Sequence, residues 1–306
     1  MIAIDWGTTS FRAFRLGPDG RVLETRAAEA GIRSVAAEGF GAVLEAQVGD
    51  WVAAGGGPVV MSGMVGSRQG WREVPYVAAP AGRDELAAGM GAVDWAGGRA
   101  WIVPGVGCRG AEGVPEVMRG EETQLMGVLD HLPPGGARVC LPGSHSKWVR
   151  VEAGRITGWT THFTGEVFAA LKDHTLLGRL MSGDGAVTDR DAFHRGWRRS
   201  REAGGLLHHL FGVRALGLLG ELPGESAAAY LSGLLIGHEV AAEGVAGQVV
   251  HVVGAARLAE WYAEAIGAEG GPAVRLDPGA AAAVLWRIGA RWRTGTPGPG
   301  DGGKRA

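Results

Sequence analysis

Apolar and polar positions along this chain repeat with two periods, and the switches between them mark its elements. Ile2-Ala3-Ile4-Asp5 is a short apolar run that ends in the polar loop Trp6-Gly7-Thr8-Thr9-Ser10, after which residues 11–16 resume with rough alternation. Gly17-Pro18-Asp19-Gly20 is a turn signal, and Arg21-Val22-Leu23-Glu24-Thr25 reads as a third strand. A helix is predicted over about 37–54, buried strands at 58–62 and 100–103, and a helix over 121–132 that Pro133-Pro134-Gly135-Gly136 ends.

The opening pattern then returns. Val139-Cys140-Leu141 leads into Pro142-Gly143-Ser144-His145-Ser146-Lys147, followed by Trp148-Val149-Arg150-Val151, a turn at Gly154 and Arg155-Ile156. Gly7-Thr8-Thr9-Ser10 thus corresponds to Gly143-Ser144-His145-Ser146, and Gly20-Arg21-Val22 to Gly154-Arg155-Ile156. A pattern that occurs twice implies two similarly folded lobes and not a solenoid. Helices are predicted near 165–180, 189–211 and 226–243, then a strand at 249–253 running into a helix to about 266, a strand at 273–277 and a helix over 280–293. Strands alternating with helices place the chain in the α/β class. The expected division is an N-terminal lobe of residues 1–132, a C-terminal lobe of 133–293, and a disordered Gly- and Pro-rich tail at 294–306.

Composition narrows the function. The chain has 306 residues, 46% of them apolar, enough for a core in each lobe. A formal charge of -2 gives no global positive field to hold nucleic acid or an anionic membrane, and no apolar run reaches the length of a membrane span. Met1-Ile2-Ala3-Ile4 carries no basic or signal-type segment, so cytoplasmic residence is expected. Cys108 and Cys140 lie in no metal or disulfide pattern and read as small buried side chains. The expected partners are small molecules, and a homodimer is left open as the assembly.

The first loop places the carboxylate of Asp5 at a strand end, beside a Gly that lets a ligand approach the backbone and three hydroxyls. That set suits Mg²⁺, held by Asp5 directly or through water, and phosphate, held by Gly7, Thr8, Thr9 and Ser10. A tight hairpin with locally satisfied hydroxyls would look the same. The second loop, Gly143, Ser144, His145, Ser146 and Lys147, repeats the donors and adds one of only three lysines, which favours a phosphate-binding role for both loops. Gly254 and Ala255, after the strand at 249–253, are small residues at a helix start and suit close approach of a nucleoside. No Walker loop and no protein-kinase catalytic loop is present.

Arg119-Gly120-Glu121-Glu122 opens the helix at 121. A carboxylate there is placed to take a proton from an attacking hydroxyl, with Glu121 ahead of Glu122 and Glu166 as a third candidate; the bland alternative is helix-dipole compensation. The Gly-punctuated loop with Ser62, Gly63, Ser67, Arg68 and Trp71 is a candidate sugar site, and Arg12, Arg68 and Arg119 are candidate partners for a substrate carboxylate. The cluster from Arg195 to Arg201 reads as a solvated helix face.

Taken in order, Ile4-Asp5-Trp6-Gly7-Thr8-Thr9, the run from Val59 to Ser67, Met118 to Leu125, Pro142 to Val149, Thr164-Gly165-Glu166 and Leu231 to Gly237 resemble the 2-dehydro-3-deoxygalactonokinase family over nearly the whole chain. The resemblance implies two ribonuclease-H-like lobes of the actin and hexokinase kind with ATP in the cleft between them, and Mg²⁺. It further implies transfer of the ATP γ-phosphoryl to the 6-hydroxyl of 2-dehydro-3-deoxy-D-galactonate in galactonate breakdown, with a helix-start acid, Glu121 or Glu122, as general base. The rivals are a kinase for another sugar or sugar acid, and a non-catalytic nucleotide-binding regulator on the same fold.

Overall fold

A computed structural model describes residues 1–110, 112–182, 187–277 and 281–293. The tail expected at 294–306 lies outside the described residues. The chain forms two compact units, the first built mainly from residues 1–136 and the second from residues 137–150 and 159–277.

In the first unit β1 (Ile2–Trp6), β2 (Phe11–Leu16) and β3 (Val22–Ala28) form the antiparallel ribbon expected from the alternating pattern. After α1 (Phe40–Ala53), β4 (Val59–Ser62) pairs parallel with β1. Then come β5 (Val77–Ala78), α2 (Arg83–Ala88), β6 (Gly91–Trp95), β7 (Gly98–Ile102), β8 (Val106–Arg109), β9 (Pro115–Met118) and α3 (Glu121–Val128). The main sheet runs β3-β2-β1-β4-β7-β6, and β5-β8-β9 makes a separate small sheet. Ile2, Ile4 and Trp6 of β1 and Val59 and Met61 of β4 pack with Phe40, Leu44, Val48 and Trp51 of α1. Because β1 is central and covered on both faces, its run is apolar without alternation until Asp5.

The second unit holds β10 (Ala137–Leu141), β11 (Ser146–Glu152), β12 (Arg155–His162), α4 (Thr164–His174), α5 (Arg190–Ser200), α6 (Gly205–Leu218), α7 (Gly224–Glu243), β13 (Val250–Val253), α8 (Ala256–Ala268) and β14 (Ala273–Leu276). Its sheet order is β12-β11-β10-β13-β14, with β10/β13 and β13/β14 parallel. This repeats β3-β2-β1-β4-β7 strand for strand, so the twofold sequence pattern is two ribonuclease-H-like sheets. The helix expected over 189–211 is broken between α5 and α6, where Gly204 and Gly205 both take positive φ.

Helices α5 and α7 cross at unusually close range. A Cβ on Gly196 would fall 2.0 Å from the Tyr230 carbonyl oxygen, and one on Gly233 would fall 1.9 Å from that of Phe193. The glycines of the Leu231–Gly237 run are therefore packing residues, and their backbone contact anchors the helical layer of this unit.

The final helix α9 (Ala281–Arg293) differs from expectation. It groups with the first unit, as do residues 151–158, although the C-terminal lobe was expected to hold all of 133–293. The cause is its apolar stripe: Ala282, Val284, Leu285 and Ile288 are buried against β1, β4, α2 and α3. Among the described residues no helix is long and apolar enough to cross a membrane.

Candidate active site

At the end of β1, Asp5 pairs in register with Arg12 of β2 on one side and Ser62 of β4 on the other. Arg12 Nη2 donates to Asp5 Oδ2 at 3.0 Å, so Arg12 is engaged by the protein's own carboxylate. Burial pushes the Asp5 carboxyl above its ordinary range, and Arg12 acts against that rise. The loop after β1 is fixed from behind: Gly7 N–H donates to the Ser10 carbonyl (2.9 Å), while the carbonyls of Gly7 and Thr8 accept from the N–H groups of Ile32 and Arg33 at 3.0 and 3.1 Å. Thr9 and Ser10 are left exposed and Gly7 and Thr8 half-buried.

Two glycines bring the next residues to the same place. Gly63 follows β4 at φ 94°, and a Cβ there would fall 2.8 Å from the Trp6 carbonyl oxygen and 3.5 Å from Asp5 Oδ1. Gly120, at φ 103°, lies against it: a Cβ on Gly120 would meet the Gly63 Cα at 3.7 Å. Both positions require glycine. The start of α3 is thereby carried to the ends of β1 and β4, where Gly120 lies on Gly63 and Gly63 on Trp6 and Asp5.

The two acids of α3 behave differently. Glu122 is fully buried; its Oε2 accepts from Gly120 N–H at 2.7 Å and its Oε1 from Thr123 Oγ1 at 3.1 Å. Burial first, and the neighbouring Glu121 second, push its carboxyl up to about 8. Glu121 is only half-buried, and its Oε2 accepts from Arg119 N–H at 3.1 Å. Glu122 thus holds the helix start in place, and Glu121 is the acid a ligand can reach.

A carboxyl whose folded value lies above its unfolded one binds more protons when folded, so the stability it gives is full below about pH 4.5 and lost as pH rises to about 8. Glu122→Gln removes that titration. The variant is expected to lose a pH dependence of a few kcal/mol between these limits, read by urea unfolding at pH 5 and 8; equal slopes in variant and wild type would contradict the assignment.

Arg119 is also buried. Its guanidinium lies 4.5 Å from the Tyr76 ring centroid and Nη2 donates to the Val74 carbonyl at 2.7 Å, while Nε and Nη1 have no partner among the described residues. The other candidate sugar-site residues have local partners. Ser67 Oγ donates to the Met64 carbonyl at 2.7 Å, Arg68 is exposed and 3.6 Å from Glu73, and Trp71 stacks on Phe40 (10° between planes) within the core around Trp6. These contacts tie Ser67 and Arg68 to their own loop and Trp71 to the core.

In the second unit the β10–β11 loop rests on the start of α4. A Cβ on Gly165 would fall 2.4 Å from the Gly143 carbonyl oxygen, and Glu166 N–H donates to the Ser144 carbonyl at 3.0 Å. His145 stacks on Phe163 (4.6 Å between centroids), with Nε2 2.5 Å from Glu166 Oε2. Gly143, Ser144 and His145 are accessible; Ser146 and Lys147, expected in the loop, are instead the first residues of β11 and are buried. Ser146 Oγ is 2.7 Å from the Tyr262 hydroxyl, which donates to Glu239 Oε2 at 2.7 Å, and Glu239 Oε1 accepts from Trp148 Nε1 at 2.7 Å.

Beside this loop lies a cavity of about 260 Å³ lined by Ser144, Thr164, Phe168, Ser232, Leu258 and Tyr262, among others. Gly254, after β13, packs on Pro142, and Ala255 caps α8; neither lines the cavity, whereas Leu258, one turn further on, does. Tyr262, Phe168 and Thr164 line this cavity and Glu239 accepts from Tyr262; none of the four stands out as a candidate in the sequence.

Comparison with known proteins bears on all of this. The profile of the 2-keto-3-deoxy-galactonokinase family matches residues 5–288. The chain belongs to that family. A probable 2-dehydro-3-deoxygalactonokinase of Rhizobium meliloti (strain 1021) is 38% identical over 94% of this chain and 97% of its own length. A 2-dehydro-3-deoxygalactonokinase of Escherichia coli (strain K12) is 40% identical over 78% of this chain and 79% of its own. A crystal structure from Sinorhizobium meliloti, described as a protein of the same kind, superposes with a TM-score of 0.83 at 36% identity, covering 96% and 98% of the two chains. The family match begins at Asp5, the first residue of the site, and runs through α3, the β10–β11 loop and α7 into α9.

Proposed function

We propose that the chain transfers the γ-phosphoryl group of ATP to the 6-hydroxyl of 2-dehydro-3-deoxy-D-galactonate, a step of galactonate catabolism. The observation that carries the reading is family membership from residue 5 to residue 288 together with a half-buried acid, Glu121, at the start of α3, whose preceding residue Gly120 lies on Gly63 at the end of β4. In the transfer the sugar oxygen forms a bond to the γ-phosphorus as the bond from that phosphorus to the β,γ-bridging oxygen breaks, and the hydroxyl proton passes to Glu121. Glu122, neutral and buried, keeps Glu121 in place.

The loop of Gly7, Thr8, Thr9 and Ser10 and the accessible residues Gly143, Ser144 and His145 bind phosphate oxygens; Ser146 and Lys147 act from beneath. The 260 Å³ cavity, lined by Ser144, Thr164, Leu258 and Tyr262 among others, takes the nucleoside, with Gly254 and Ala255 at the start of the helix that carries Leu258 and Tyr262. Arg119, with two unpartnered donors, is the best-supported partner for the substrate carboxylate, and Ser62 and Gly63 border the sugar.

Mg²⁺ fits Asp5 in one way. Among the described residues no three acidic, His or Cys side chains gather, so a cation at Asp5 would take its remaining ligands from water and phosphate, as Mg²⁺ does. When bound it would neutralise phosphate charge.

Sugar-acid-dependent ADP release separates this reading from a nucleotide-binding regulator. The account expects release that requires the sugar acid; ATP binding without sugar-dependent release would favour the regulator.

A further inference from the structure

Helix α6 carries two apolar faces. On one, His209 and Val213 are buried, and Leu206, Leu210 and Leu216 pack on the core of the second unit. On the other, Leu207, Phe211 and Leu218 fall on one stripe at about 100° per residue. They are 86%, 65% and 59% exposed, and Leu219, at 73%, continues the patch. Arg214 lies among them and donates from Nη1 to the Leu176 carbonyl at 3.1 Å, which extends its stem towards Leu176, itself half exposed. A surface helix has one apolar stripe, turned to its core; a second, opposite stripe of large side chains marks a face that something covers.

Charge and area favour one occupant. Arg198, Arg199 and His208 stand at the N-terminal end of α6 and outnumber Glu202, which pairs with Arg199, while Glu221 and the exposed Glu225 follow its C-terminal end. Two copies of α6 packed antiparallel about a twofold axis near the middle of the helix would set Leu207 of each on Leu218 of the other. The basic end of each would meet the acidic end of its mate, with the helix dipoles opposed. The stripe and its flanks expose roughly 600 Å² of apolar side chain, close to the ~800 Å² that each side of a standard interface buries. A self-complementary surface of this kind fits its own copy.

We infer that the outer face of α6 is the twofold interface of a homodimer. Sedimentation of the full chain over a roughly hundredfold range of concentration tests it. The wild type is expected at twice the chain mass, and Phe211→Glu and Leu218→Glu at the single-chain mass with unchanged far-UV circular dichroism. A control, Val274→Glu, on an exposed position of β14, stays dimeric. Leu207→Cys combined with Leu218→Cys adds a readout that does not depend on weakening the dimer, since the axis that sets Leu207 of each copy on Leu218 of the other lets these two positions form inter-chain disulfides on oxidation. A monomeric wild type, or a dimer that survives both glutamate variants and gives no inter-chain disulfide in the doubly substituted cysteine variant, overturns the inference.

Discussion

Replacing Glu121 by Gln is expected to lower turnover of the sugar acid by about 10²–10⁴-fold while leaving ATP affinity unchanged. Gly63 and Gly120, both at positive φ, let the start of α3 close on the end of β4, so that Gly120, the residue before Glu121, lies on Gly63, which itself faces Asp5. Glu122, next along, is fully buried and its carboxyl is pushed up to about 8, so it neither meets a ligand nor stands ionised as a base at neutral pH. Glu121 is half-buried and accepts from the Arg119 backbone N–H, so a ligand can reach it. Gln keeps the shape and removes the proton acceptor. The KM for ATP and kcat of the variant decide the matter: a kcat near wild type would remove Glu121 from the mechanism.

Asp5→Asn has the second largest expected effect, a loss of about 10²–10³-fold in kcat with a higher Mg²⁺ requirement. Asp5 is the carboxylate at the end of the central strand, held by Arg12 and facing Gly63. Its carboxyl is raised by burial, so wild-type activity should fall on acidification at a pH above the usual carboxylate range. The variant should lose that limb. Titrating Mg²⁺ at saturating ATP separates roles: a variant with unchanged Mg²⁺ dependence and unchanged kcat would show that Asp5 serves only as the structural mate of Arg12.

The repeat was legible because central strands buried on both faces must be apolar, so Ile2-Ala3-Ile4 and Val139-Cys140-Leu141 stand out, and each is followed by a glycine-led loop. The small sheet of β5, β8 and β9 was not, since Val77–Ala78 is too short to show a period and Pro115 opens β9. The place of α9 was hidden for another reason. Its stripe shows that it packs on something, but only contacts show that its neighbours are β1 and β4 at the other end of the chain.

Of the site, the glycines and acids of 5–10, 63 and 120–122 could be read from spacing alone. The order of Glu121 before Glu122 could be read but not explained, because burial decides it. Ser146 and Lys147 were placed one element early: the loop ends at His145, and the buried pattern of Ser146–Val149 belongs to a strand. Tyr262 and Glu239 gave no signal, as a hydroxyl and a carboxylate inside apolar helices show their purpose only through bonds to Ser146 and Trp148, far away in sequence. Cys140 is buried with its thiol pushed up by that burial, as read, whereas Cys108, expected to be buried too, is only half-buried on β8.

The most direct test is ADP production from Mg-ATP with 2-dehydro-3-deoxy-D-galactonate beside its gluconate epimer, glucose, glycerol and a control without sugar. The account predicts the highest kcat/KM for the galactonate derivative and background rates for glucose and glycerol. Equal or better turnover of another sugar or sugar acid would contradict the assigned substrate, and background rates with every one of them would contradict the assignment as a kinase.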